Sequence, residues 1–234
     1  AGIGWYRKTF RAPAEWNGRR ISVEFDGVYR DATVYLNGQR LGTQPFGYTS
    51  FRFDLTRHLD FSQPNVLAVR VDNSAQPNSR WYSGSGIYRR VRVVVTDAVH
   101  VAHWGVFVTT PEASSAAAKV QVRIRVANET AGEVTATVET TLVDRAGKRA
   151  GNARTTVKIA RGGVAEAGQE IAVAKPALWS PDSPALYRAV TRVSRDGKAV
   201  DETVTPFGIR ALVWSAEKRL LLNGKSIKLA GGSV

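Results

Sequence analysis

Apolar residues recur at every second position over most of this chain, the periodicity of strands with one buried face rather than of helices. Ile21, Val23 and Phe25 form one such run, Ala32, Val34 and Leu36 a second, and Leu67, Val69 and Val71 a third. A fourth continues from Ile87 through Arg89, Val91 and Val93 to Val95. Turn signals separate them at short spacing: Asn17-Gly18, Asp26-Gly27, Asn37-Gly38 and Pro64-Asn65. No window holds a helical stripe, so the pattern predicts an all-β sandwich or barrel.

The character changes near Thr96 and Asp97, where a second series begins. Segments 99–109, 120–126, 134–143, 155–159, 170–173, 187–194 and 200–207 alternate in the same way. About seven strands in roughly 110 residues fit an immunoglobulin-like sandwich without the cysteine pair of antibody domains. Residues 111–118 read as a Ser/Ala-rich loop. From Ile209 onward, Asn223-Gly224 between two apolar runs signals a hairpin, because both central residues of its turn take positive φ. A lone hairpin cannot bury its own face, so further polypeptide is expected beyond it. The expected domains are 1–97, 98–208 and a truncated third piece at 209–234.

The chain has 234 residues, with neither cysteine nor methionine. The absence of cysteine excludes thiolate metal sites, catalytic thiols and disulfides; the absence of an initiator methionine reads as processing or as a piece of something longer. The formal charge is +13, which invites a polyanion-binding reading. The charge is not clustered, however: residues 1–97 carry 14 basic and 8 acidic groups, residues 98–208 carry 14 and 11, and the last 26 carry 5 and 1. A nucleic-acid footprint needs cations gathered on one face or element, so no nucleic-acid partner is expected. No apolar run approaches the roughly 20 residues of a spanning helix, so no membrane partner is expected either.

Five segments in order resemble the N-terminal, non-catalytic part of glycoside hydrolase family 2, the group of β-galactosidases, β-glucuronidases and β-mannosidases. They are Gly4-Trp5-Tyr6-Arg7-Lys8-Thr9-Phe10, Phe25-Asp26-Gly27-Val28, Val34-Tyr35-Leu36-Asn37-Gly38, Gly47-Tyr48-Thr49-Ser50-Phe51 and the stretch from Ser79 to Arg89. Leu178-Trp179-Ser180-Pro181, Phe207-Gly208-Ile209-Arg210 and Leu222-Asn223-Gly224-Lys225 extend the likeness to the end of the chain. The resemblance implies a jelly-roll sugar-binding domain, an immunoglobulin-like domain and a (β/α)₈ catalytic barrel that starts only as this sequence stops. It implies accessory function in a retaining exo-β-glycosidase, β-galactosidase-like, with a β-glycoside substrate shared with the barrel and no cofactor. A periplasmic or secreted location is favoured over the cytoplasm, and homo-oligomer formation is left open.

Trp5, Phe10, Phe25, Tyr35 and Phe51 are expected in the jelly-roll core. The loop at 77–86 combines Arg80, Trp81 and Tyr82 with three serines, a mixture suited to sugar rings and their oxygens. These three, with Asn73 and Asn78, are the candidate pocket-wall residues. By the resemblance, Arg80 falls where some relatives place a substrate-contacting aspartate, so an acceptor has become a cation here. The alternative for Arg80 and Trp81 is an interdomain contact.

Retaining glycosidases need two carboxyl groups about 5 to 5.5 Å apart. The tempting decoy is Asn128-Glu129, since Asn-Glu ending a strand is how the family writes its acid/base, but Glu129 is expected in a hairpin turn. Asn128-Glu129-Thr130 is also a glycosylation sequon. His100 and His103 fall on opposite strand faces and do not suggest a metal site. Gly84-Ser85-Gly86 lacks the third glycine of a dinucleotide loop, and Ser83 and Ser85 have no nearby histidine. No catalytic, metal or cofactor residue is assigned. The competing classes are a free-standing carbohydrate-binding module on a spacer and, from charge alone, a polyanion-binding sandwich.

Overall fold

A computed structural model describes residues 2–75, 83–217 and 219–232. The chain divides into two compact units, Ala1–Asp97 and Ala98–Val234. Among the described residues there is no α-helix, only one 3₁₀ turn at Ala14–Trp16.

The first unit is a jelly-roll sandwich. One sheet orders β1 (Ile3–Phe10), β7 (Asn65–Asp72), β4 (Ala32–Leu36) and β5 (Gln39–Gln44); the facing sheet orders β6 (Phe51–Asp54), β2 (Arg20–Phe25) and β9 (Val91–Thr96). A short ladder joins β3 (Val28–Tyr29) to β8 (Gly86–Ile87). The alternating runs bury as their period requires, with Ile21, Val23, Phe25, Val34, Leu36, Val69 and Val71 forming the core. Asn37 and Gly38 take φ of 51° and 81°, the paired positive values of a two-residue hairpin between β4 and β5. The Asn37 amide donates to the buried Asn65 carboxamide at 2.8 Å, and its oxygen accepts from the Val66 N–H at 2.9 Å, tying that turn to the start of β7.

The predicted run from Ile87 to Val95 is two strands, broken at Tyr88-Arg89-Arg90, because β8 pairs β3 while β9 pairs β2. The expected core aromatics also divide. Phe25 and Phe51 are buried and stacked with centroids 4.9 Å apart, and Phe10 packs at the margin of the core. Trp5 is 53 % exposed and lies 5.8 Å from the half-buried Tyr35, on an edge strand that the sandwich leaves uncovered. Between β1 and β9 the two sheets do not close, leaving a cleft of about 570 Å³ lined by Tyr6, Phe10, Leu67, Val69, Val91 and Val93.

The second unit is an immunoglobulin-like sandwich. Strands β10 (Val99–Ala113), β11 (Ala117–Asn128) and β14 (Val164–Ala174) form one sheet. The other orders β13 (Arg149–Ile159), β12 (Val134–Val143), β15 (Tyr187–Arg195) and β16 (Lys198–Phe207). Val120, Val122, Ile124 and Val126 are fully buried, facing Val138, Leu142, Ala189 and Val193 in one core. The expected loop at 111–118 is mostly strand: β10 runs to Ala113 and β11 begins at Ala117, leaving a three-residue turn. There the Ser114 hydroxyl accepts from the Ala117 N–H at 3.2 Å, so a serine read as loop composition is a turn cap.

The C-terminal hairpin has a third strand that the sequence pattern did not reveal. Strands β17 (Leu212–Ser215), β18 (Arg219–Leu222) and β19 (Lys225–Ser226) form one small sheet. Asn223 and Gly224 turn with φ of 50° and 80°, and the Asn223 amide donates to the Trp179 carbonyl at 3.0 Å.

Candidate functional site

The loops at one end of the jelly roll are built around glycines that let aromatic rings approach the backbone. A Cβ at Gly27 would meet the Tyr88 ring at 2.5 Å, and one at Gly47 would overlap the Tyr29 ring. Tyr88 donates its hydroxyl proton to the Gly47 carbonyl at 2.8 Å, joining the β8–β9 turn to the β5–β6 loop. Gly86, at φ 115°, receives the Tyr6 hydroxyl where a side chain would stand. Substitution at any of the three would displace a ring, which is why glycine recurs in these motifs.

On this frame Phe46 and Tyr48 are each 57 % exposed, in edge contact at 5.7 Å, with Tyr48 also packed on the buried Tyr29 at 5.2 Å. Gln44 steadies the loop by donating to the Thr49 hydroxyl at 2.9 Å and to the Phe46 carbonyl at 3.3 Å. Tyr88 is half exposed, and the Arg89 guanidinium lies 5.7 Å from its ring centre. Exposed aromatic faces beside arginine donors suit the apolar side and the oxygens of a sugar.

Below the rings lies a charged brace. Arg92 donates to both carboxylate oxygens of Asp26, at 2.8 and 2.6 Å. That bidentate bond holds the Asp26 carboxyl below its ordinary range and raises the Arg92 guanidinium. Asp72 is lowered as well, chiefly by the Ser74 hydroxyl bonded to it at 2.6 Å.

Of the residues singled out from sequence, Arg80, Trp81, Tyr82 and Asn78 lie outside the described residues. Asn73 is buried, and its amide donates to the Ser85 hydroxyl at 2.8 Å while its N–H donates to the Gly2 carbonyl at 2.9 Å. Those bonds tie Asn73 to the residue before β8 and to the residue before β1. Ser85, weighed as a nucleophile, is the acceptor of that bond. Phe46, Tyr48 and Tyr88 were missed as site residues although two of the quoted motifs contain Tyr48 and Tyr88; alternation carries no signal for a loop.

Glu129 follows β11 in a turn, with its carboxylate 4.0 Å from the buried His100 imidazole. Asn128 is fully buried, its amide donating to the carbonyls of Gly132 and Ile159 at 2.8 and 3.0 Å, so the sequon's acceptor nitrogen is a turn brace. Among the described residues no three His, Asp or Glu side chains gather in a metal-holding group, and no helix is long and apolar enough to cross a membrane.

The motifs of the second unit also meet in space. The Trp179 N–H donates to the Ile209 carbonyl at 2.8 Å, and the Arg210 guanidinium lies 4.8 Å from the indole centre. A Cβ at Gly208 would stand 2.8 Å from that of Trp179. Leu-Trp-Ser-Pro and Phe-Gly-Ile-Arg are therefore two halves of one packing unit.

Residues 4–104 match the family described as Glycosyl hydrolase 2 galactose-binding domain-like, and residues 99–210 match Glycosyl hydrolases family 2. A β-galactosidase of Bacteroides ovatus, BoGH2A, is 43 % identical over 98 % of this chain and 27 % of its own length. A putative β-glucuronidase of Formosa agariphila is 37 % identical over 98 % of this chain and 21 % of its own. The solved structure of a family 2 member from Bacteroides cellulosilyticus superposes with a TM-score of 0.94 at 39 % identity, covering 97 % of this chain and 31 % of that one. The chain thus spans between a fifth and a third of the length of these three relatives. With its motifs, its two sandwiches and both family matches in register, the chain belongs to glycoside hydrolase family 2.

Proposed function

We propose that this chain shapes and braces the substrate pocket of a retaining exo-β-galactosidase whose proton donor and nucleophile belong to a barrel domain outside these 234 residues. The observation that carries the reading is the 43 % identity to a named β-galactosidase over nearly the whole chain. The exposed Phe46, Tyr48 and Tyr88 support a pocket-wall role, and Asn73, Asn78, Arg80, Trp81 and Tyr82 are its further candidate residues. The two carboxyl groups about 5 to 5.5 Å apart that retention requires are assigned to the barrel. The same reading makes carbohydrate the partner, with no nucleic acid or membrane involved.

The test is hydrolysis of nitrophenyl glycosides by the 234-residue chain and by its parent polypeptide. The chain alone should release no nitrophenol above background, while the parent should prefer the β-galactoside to the β-glucuronide by at least about 100-fold, a difference of roughly 3 kcal/mol in the transition state. Turnover by the chain alone overturns the division of labour; preference for the glucuronide overturns the sugar assignment, which the Formosa relative keeps in play.

The exposed loop aromatics favour a second reading, a free-standing carbohydrate-binding module with an immunoglobulin-like spacer. It predicts millimolar galactoside binding by the chain itself, about 4 kcal/mol, measurable by calorimetry.

A further inference from the structure

Strand β10 carries an interruption longer than its own fold needs. Val101 pairs Val126 and Val106 pairs Ile124, so the four residues Ala102–Gly105 stand opposite Arg125 alone. Val99 and Val101 before the excursion belong to the core of the second unit, and Val106 and Val108 after it pack against that core. Val101 and Val106 are five residues apart, so an unbroken strand would turn Val106 and Val108 away from the core; one extra residue would restore the phase, and the excursion inserts three.

The excursion is tightly built. Gly105 is buried, and a Cβ there would stand 2.6 Å from the Ala102 carbonyl oxygen and 2.8 Å from that of Arg125, so only glycine closes the loop. Trp104 sits at φ 50°, a conformation that costs a bulky residue about 1–3 kcal/mol. Strain of that size is retained where the side chain it aims has work to do. The indole is 72 % exposed, backed by the His103 imidazole at 4.5 Å and 26°.

We propose that Trp104, backed by His103, is a glycan-stacking platform on the immunoglobulin-like unit, taking the apolar face of a pyranose ring. The choice of a sugar rests on the carbohydrate reading above; the existence of a contact site rests on the excursion itself. The indole offers a flat uncharged surface to ring C–H groups. A polypeptide partner would want broader apolar ground, of the kind the C-terminal sheet offers in consecutive exposed Leu212, Val213 and Trp214. Trp104 instead stands between a histidine and a glycine, opposite Arg125.

The experiment is a titration of the ¹⁵N-labelled 234-residue chain with methyl β-D-galactopyranoside, methyl β-D-glucuronide and lactose, followed at the indole N–H resonances and assigned with Trp104→Phe. Saturable shifts are expected at the Trp104 indole and at the amides of 103–105, with a millimolar Kd and no shift at the equally exposed Trp214. Trp104→Ala should abolish the amide shifts at unchanged far-ultraviolet circular dichroism, whereas Trp104→Phe should weaken binding by about three- to tenfold. No saturable shift with any of the three sugars overturns the proposal, as do equal shifts at Trp104 and Trp214, or shifts that follow protein concentration and so mark a protein contact. Nitrophenyl galactoside turnover by the parent reports separately on the reading this one rests on: an active parent with a silent Trp104 sinks the platform alone.

Discussion

Val91 and Val93 on β9 and Val122 and Ile124 on β11 obey the same alternation, yet the first pair is 40 % and 39 % exposed and the second fully buried. The difference lies in what stands opposite. In the immunoglobulin-like unit a three-stranded and a four-stranded sheet cover each other, while the jelly roll ends at two edges, β1 and β9, that face a cleft. Alternation declares which face of a strand is apolar; whether another sheet reaches that face is decided by topology. The same inward-facing valine is thus structural in one unit and a cleft wall in the other.

Core truncation gives the widest separation between the units. Leu142→Ala should destabilise the second unit by about 2–5 kcal/mol, since it opens a cavity in a fully packed interior. Val93→Ala should cost the first unit well under about 1 kcal/mol, because the side chain already borders open space. Hydrogen exchange read separately on β12 and β9 checks both, and similar losses at the two sites would mean that the cleft is closed in solution.

The glycine slots come next. Gly208→Ala places a methyl group 2.8 Å from the Trp179 Cβ, and the repacking should cost about 1–3 kcal/mol, visible as a lower thermal midpoint and a changed near-ultraviolet indole signal. Gly38→Ala meets no neighbour within 4 Å but holds φ 81°, so its penalty is one of backbone conformation alone, about 1 kcal/mol. If Gly38→Ala proved the worse of the two, the steric account of the Trp179 contact would fail.

How much of this was legible follows from the same physics. Most strands of the second unit were readable because their side chains alternate between a covered and an open face, as Val120 to Val126 do. Asn37-Gly38 and Asn223-Gly224 announced their hairpins through a φ requirement that is purely local. The exposure of Trp5 was not readable, since it depends on which strand lies at the edge. Nor was the extent of β10 and β11, because alanines and serines pair their backbones as well as valines do. Gly105 inside an apolar run was an available bulge signal that alternation alone passed over. In the candidate site, glycines and aromatics marked the loops of Tyr48 and Tyr88 through resemblance, whereas the burial of Asn73 involves Gly2 and Ser85, neither of them a neighbour in sequence.

Polar anchoring in the two units can be compared through Asn73 and Asn128. Asn128 feeds the carbonyls of Gly132, Ile159 and Ala160 from a fully buried amide, and Asn128→Ala takes that donor from all three, at a cost of about 1–3 kcal/mol. Asn73→Ala releases the Ser85 hydroxyl next to a half-exposed loop where water can replace the donor, so about 1 kcal/mol is expected. Its signature is local: faster amide exchange at 83–87 with β12 unchanged. Uniform acceleration through the first unit would instead make Asn73 part of the global fold.

The smallest effect is electrostatic and separates the units by pH. Arg92 depresses the Asp26 carboxyl from its ordinary value of 3.8, so the folded first unit binds that proton more weakly than the unfolded chain does. The stabilisation is therefore complete above the ordinary value and is lost as pH falls through the depressed one. Both side chains are partly exposed, at 46 % for Arg92 and 27 % for Asp26, so salt should screen the pair. Asp26→Asn should leave the thermal midpoint of the first unit nearly unchanged at pH 7 in high salt and flatten its decline as pH falls below the ordinary carboxyl value of 3.8. Lys119, bonded to Glu112 at 3.0 Å and near Glu170 at 3.6 Å, makes the corresponding surface network in the second unit, and there the raised group is the lysine. Its contribution is present below the ordinary lysine range and fades as pH rises through the raised value, so Lys119→Met should act at the alkaline end. An acid-limb change in Lys119→Met without one in Asp26→Asn would reverse the assignment of the two networks to the two ends of the pH scale.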